Sequence, residues 1–223
     1  MANHVYFNVT VDGNDRAMDE YYRLMETEEV TRSDYEGTKY KMEELKAIDE
    51  LRFMPAASYD SDGNQLNAYD WYCDNVGAKW CHMEDFDETT FSGHSAWRAP
   101  HELVGHLIVY LAKYDPYVSA KMTYEDEFRN FVGVQTVVAK EKPQDWWKHP
   151  ELAEYYYDNE IVEVSTEEIQ ERLEAELGVD TSKEDLEWWD PIHTLKGEIS
   201  LIEYQDELVY EFFDREEWYY DRV

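Results

Sequence analysis

Two histidines bracket a glutamate in His101-Glu102-Leu103-Val104-Gly105-His106, the residue types of a zinc-protease helix. That chemistry needs both imidazoles on one helical face, four residues apart. Here they are five apart, about 140° around a helix of 3.6 residues per turn, so Glu102 has no metal to serve. Cys73, Cys81 and His82 are soft ligands, but no second Cys/His pair stands at ribbon or finger spacing. The two thiols are therefore read as buried or partly buried. Asp60-Ser61-Asp62-Gly63-Asn64 opens like a calcium loop, yet its glycine comes two positions early and Trp71 stands where the bidentate glutamate belongs. It reads as a turn. Glu125-Asp126-Glu127 beside Tyr124 reads as a solvated turn between strands. No Gly-rich phosphate loop, nucleophile elbow or dinucleotide fingerprint occurs. The expectation is a protein that is not an enzyme and uses no metal or cofactor.

Composition narrows the partners. The 223 residues carry 52 acidic and 20 basic side chains, a formal charge of −32. Direct binding of nucleic acid or of an anionic membrane is disfavoured by sign. Aromatics make up 16% of the chain, which separates it from acidic disordered tails and predicts a folded core. The charge is uneven: residues 143–223 hold 25 acidic against 6 basic residues, and residues 75–142 hold 10 against 7. Two cysteines make no disulfide framework. The first residues show no secretory pattern, and the apolar run 103–112 is too short to span a bilayer. A soluble cytoplasmic protein is expected.

The elements that would position these residues follow from periodicity. Val5, Phe7, Val9 and Val11 alternate with polar neighbours, a strand with one buried face. Asp12-Gly13-Asn14 turns into a helix whose Met18, Tyr21, Tyr22 and Met25 form a stripe. Residues 28–50 show little pattern. A short helix is expected over 66–74, strands over 79–86 and 90–97, and a helix opened by Pro100 with Leu103, Val104, Leu107, Ile108 and Leu111 inward. Val118, Ala120 and Met122, then residues 131–139, are strand-like. Strand, helix, strand, strand, helix, strand is the split βαβ order of a ferredoxin-like α+β sandwich, here with an inserted short helix. The predicted domains are 1–142 for this sandwich and 143–223 for an acidic, structured α/β extension. In the extension Ser165-Thr166-Glu167-Glu168 is a capping box, followed by Ile169, Leu173 and Leu177. Residues 199–204 and 208–213 suggest a hairpin.

Four pieces carry a resemblance: Trp71-Tyr72; Asn75-Val76-Gly77-Ala78-Lys79-Trp80; Ser95-Ala96-Trp97-Arg98-Ala99-Pro100; and Tyr124 with Phe128, Phe131 and Gly133. With the opening strand, they resemble the YubB ferredoxin-like family of phage and plasmid proteins over residues 1–140. The resemblance implies the fold and a mobile-element origin, and carries no catalytic residue. Gly77 suits the end of a short helix. Lys79, Trp80 and Trp97 have two readings: aromatics filling the sheet–helix interface, or the walls of a surface cleft.

The functional expectation is binding. Regularly spaced carboxylates with aromatic anchors imitate the field of a nucleic acid and would be steered to a basic, nucleic-acid-binding host protein and inhibit it. The contact residues expected are Glu167, Glu168, Glu171, Glu174, Asp185, Glu187, Trp188 and Trp189. The alternative is a ferredoxin-like domain that binds a small ligand or peptide, its charge serving solubility. A sheet that stacks RNA bases is a third reading, disfavoured because even its most basic stretch, 118–142, only balances.

Overall fold

The computed structural model describes residues 3–33, 37–45, 60–61, 66, 68–128, 130–142, 148, 154–165, 168, 171–173, 175, 192–194, 197–200, 203–204 and 207. The opening alternation becomes β1 (His4–Asp12), with Val5, Phe7, Val9 and Val11 buried. Helix α1 (Asp15–Met25) follows at once. Asn14 caps it, its Oδ1 accepting from the N–H groups of Arg16 and Ala17 at 3.0 and 3.1 Å, a contact that stabilises a helix by about 1 kcal/mol. Ala17, Tyr21, Leu24 and Met25 are the buried stripe. Tyr22, expected on it, is exposed and lies beside Phe86.

The other elements are β2 (Thr27–Ser33), β3 (Lys39–Leu45), α2 (Ala68–Asn75), β4 (Cys81–Phe86), β5 (Thr90–Ala96), α3 (His101–Leu111), β6 (Ser119–Asp126), β7 (Phe131–Glu141), β8 (Tyr155–Ser165), β9 (Ile192–Thr194) and β10 (Gly197–Ile199). Six strands form one antiparallel sheet in the order β4-β5-β1-β6-β7-β8. The protein is thus α+β, and its β4-β5-β1-β6 portion with α1 and α3 is compatible with the ferredoxin-like order. β1 lies between β5 and β6, with Val5 opposite both Ser95 and Asp126.

Both helices pack on the Val5/Phe7 face. Leu103, Val104, Leu107, Ile108 and Leu111 of α3 join the α1 stripe in one core with Phe91 and Met122, each large apolar side chain contributing about 1.5–3 kcal/mol on burial. Asp115, buried after α3, accepts from the Asn14 N–H at 2.6 Å and the Tyr117 N–H at 3.0 Å, so it holds the start of α1.

Several expectations change. Residues 28–50 include the β2–β3 ribbon, paired from Thr27↔Leu45 to Ser33↔Lys39. β8, in the segment assigned to the extension, pairs with β7 over its whole length, Phe131↔Ser165 to Glu141↔Tyr155. The small hairpin joins 192–194 to 197–199, whereas Glu203, Tyr204 and Glu207 are helical, so the strand expected over 199–204 does not extend to Glu203 and Tyr204. Residues 208–213 lie outside the described residues. Among the described residues no helix is long and apolar enough to cross a membrane.

His101 and His106 face different neighbours, as their spacing requires. His101 Nδ1 lies 3.1 Å from Gln135 Oε1 and its ring meets Tyr124 edge-on, while His106 meets Tyr157. Burial holds both imidazoles below the ordinary value of 6.5. The unfolded chain then binds protons first as pH falls through 6.5, so the fold loses stability below that pH. The urea midpoint is expected to be lower at pH 5.5 than at pH 7.5, and His101→Gln is expected to shrink the difference. An unchanged gap would remove His101 from the account.

Candidate functional site

Two connections meet at the end of the sheet where β4 begins and β5 ends. In the first, α2 stops at Asn75, whose Nδ2 donates to the Trp71 carbonyl at 2.8 Å. The N–H groups of Val76 and Gly77 converge on the Tyr72 carbonyl. Gly77 turns the chain at φ +92, and a Cβ there would also strike the Glu102 carboxylate and lie 3.1 Å from the His101 nitrogen. A glycine is therefore needed for conformation and for space. Ala78 and Lys79 then lead into β4.

In the second, β5 ends at Ala96 and the chain passes Trp97 and Arg98 before α3. Trp97 has φ +73, a conformation that strains a large residue by about 1–3 kcal/mol and persists only where its surroundings enforce it. They do so here on both sides. The Trp97 N–H donates to the Asn3 carbonyl at 3.0 Å, and the Ser95 hydroxyl donates to the Arg98 carbonyl at 2.6 Å. The Ala96 N–H reaches the Trp80 carbonyl and the Leu103 N–H reaches that of Val76, tying the two connections together.

The result is a cleft of about 350 Å³ lined by Tyr69 and Cys73 of α2, by Gly77, Ala78 and Lys79, and by Ala96, Trp97 and Arg98. Trp97 is 57% exposed and Tyr69 59%. Lys79 and Arg98 are exposed, and among the described residues neither has a carboxylate within 4.0 Å. The Cys73 thiol beside Tyr69 pushes the phenol above its usual range. A pair of cations beside two exposed rings suits an anion.

Trp80 does not line the cleft. It lies among His4, His82 and His94, with ring centroids 5.3–5.6 Å away. His4 sits on the sheet face opposite the buried side of β1. The sheet–helix interface therefore holds neither Trp80 nor Trp97; the reversed φ at 97 turns that ring outward. Glu84 Oε1 is 2.7 Å from His94 Nδ1. Among the described residues no group of three or more His, Cys, Asp or Glu is placed to hold a metal ion.

The acidic run 125–127 is not a solvated turn. Glu125 and Asp126 end β6, and Asp126 is 1% exposed. Of the expected contact residues, Glu168 and Glu171 are described. The Glu168 N–H bonds the Ser165 hydroxyl oxygen at 3.2 Å, as the capping box requires, and its carboxylate pairs with Arg172 at 2.8 Å. Glu171 is exposed. Glu167, Glu174, Asp185, Glu187, Trp188 and Trp189 lie outside the described residues. The sequence reading missed Tyr69, Cys73 and Arg98 as site residues. Tyr69 and Cys73 stand at i and i+4, and Arg98 sits inside the Ala-Trp-x-x-Pro piece, so the signal was present in the spacing.

The chain matches no protein-family model, no curated protein and no solved structure.

Proposed function

We propose that this chain acts by binding, without chemistry of its own, and that its site is the cleft between the α2–β4 and β5–α3 connections, which takes a small anionic ligand. One observation carries the reading. In a chain of charge −32, Lys79 and Arg98 face one cavity beside a tryptophan held outward in a strained conformation. Two of the pieces that resemble the YubB family, Gly77-Ala78-Lys79 and Ala96-Trp97-Arg98, are its walls. We carry the ferredoxin-like fold, the phage or plasmid origin and the cytoplasmic location forward as part of this proposal. The test is thermal. Phosphate replacing chloride at constant ionic strength is expected to raise the Tm of the native chain by more than that of the Lys79→Ala/Arg98→Ala variant, which keeps only the general stabilisation by an excluded anion. Equal shifts in both would sink the reading.

Charge segregation favours a second reading, an acidic surface in residues 143–223 that imitates a nucleic acid toward a basic host protein. Replacing Glu167, Glu168, Glu171 and Glu174 by glutamine is then expected to lower the salt at which a captured partner elutes. Elution at the same salt would argue against it.

A further inference from the structure

We infer that the ligand of the cleft is a free mononucleotide, its base stacked on Trp97 and its phosphate held by Lys79 and Arg98. This rests on the reading of the cleft as the binding site and names what fills it.

Trp97 supplies the first argument. A positive φ at a bulky residue is retained at an energetic disadvantage, and here one hydrogen bond on either side holds it. The conformation places an indole in solvent, and among the described residues no other ring packs on it. An aromatic face presented in this way is a stacking platform, sequence-tolerant because every base has a π-face. Tyr69 adds a second exposed ring on the same cavity.

The cations supply the second. Arg98 follows Trp97 directly, and Lys79 reaches the cavity from the opposite connection. A guanidinium fork and an ammonium together match a phosphate, as fork and as point charge. A cavity of about 350 Å³ lies near the lower end of small-molecule sites, and suits one nucleotide. A sugar phosphate would leave the indole unused, and an uncharged ring would leave both cations unused.

The third argument selects the source. A nucleotide at a strand end offers the same chemistry, but the remaining phosphates would face a molecule of charge −32. Long-range repulsion grows with the number of phosphates. All but Tyr69 and Cys73 of the residues lining the cleft belong to the nearly balanced segment 75–142, where 10 acidic residues meet 7 basic ones, so a ligand with one phosphate is repelled least.

Calorimetric titration of the full chain with AMP, inorganic phosphate and adenosine tests the inference. AMP is expected to bind at least about tenfold more tightly than phosphate or adenosine. Lys79→Ala and Arg98→Ala are each expected to weaken AMP by about tenfold or more, the range of a charge-assisted hydrogen bond. Trp97→Gly, which suits the backbone conformation, is expected to weaken AMP and leave phosphate unchanged. AMP is also expected to slow alkylation of Cys73, which lines the cleft, while Cys81, buried with its thiol pushed up to about 12, stays unreactive throughout. Phosphate binding as tightly as AMP, with Trp97→Gly without effect, would overturn the nucleotide and leave the anion cleft standing. No heat from any of the three at millimolar concentration, with no protection of Cys73, would overturn both. Hexathymidylate displacing AMP more effectively than AMP displaces itself would overturn the free nucleotide in favour of a strand end.

Discussion

Gly93→Val is expected to remove most of the stability of the fold, by about 3 kcal/mol or more, read as a large fall in urea midpoint or as insoluble chain. Gly93 pairs with Phe7 on one side and Met83 on the other. In a regular pair a Cβ points away from the sheet and clears its neighbours. Here a Cβ would run into the His82 carbonyl and lie 2.9 Å from Met83 Cα. The β4 backbone is drawn over this residue, beside the register shift between Met83 and Asp85. The obstacle is main chain, so no rotamer relieves it. Even Gly93→Ala is expected to push β4 away, and with it the Lys79 connection that leads into that strand. A variant with wild-type midpoint would mean that β4 does not approach so closely.

Asp126→Ala is expected to lower stability by about 2–4 kcal/mol, because several donors lose one buried acceptor together. Its Oδ2 accepts from the N–H groups of Phe128 and Asn130, both at 3.2 Å, and from Asn130 Nδ2 at 2.5 Å. Its Oδ1 accepts from the Asn3 side chain. Asn3 in turn offers its carbonyl to the Trp97 N–H. Asp126 thus steadies the strained residue across the sheet, without touching the cleft. The variant is expected to be less stable and also to weaken ligand binding, with Asp126→Asn recovering part of both. Ligand affinity unchanged in a destabilised Asp126→Ala would show that Asn3 holds Trp97 by itself.

These two residues also show where sequence reasoning ended. Asp126 sits in a run of three acids, and charge alone marks such a run as solvated. Its burial depends on donors from Asn3, Phe128 and Asn130, which no local pattern encodes. Gly93 stands in a recognisable strand, but its closeness to β4 is a property of the pairing. By contrast β1, α1, α3 and β6 were legible because each buries one side and its period shows it, and β7 as a valine-rich run buried on both faces. The β2–β3 ribbon was not. Its described side chains, Thr31, Lys39 and Lys41, are exposed, and the pairing sets Glu28 opposite Glu44 and Glu29 opposite Glu43, an arrangement that cross-strand charge rules disfavour. For the cleft, the sequence offered Lys79 and Trp97 as walls or as core. The choice turned on one backbone angle, and periodicity carries no signal for the sign of φ at a single residue.

The place of β1 between β5 and β6 has a consequence for synthesis of the chain. Val5 finds its partners at Ser95 and Asp126, so this strand meets its first neighbour late in synthesis and is enclosed on both sides only after more than a hundred further residues are translated. At roughly 5–20 residues per second that is about 6–24 s on the ribosome. During that interval Val5, Phe7, Val9 and Val11 lie on a strand that is first unpaired and then paired on one side alone, a natural target for a holding chaperone and the place where crowded polysomes would seed aggregation. Slow codons upstream of residue 126 would lengthen the exposure, and expression yield should respond to them more than to codons beyond it.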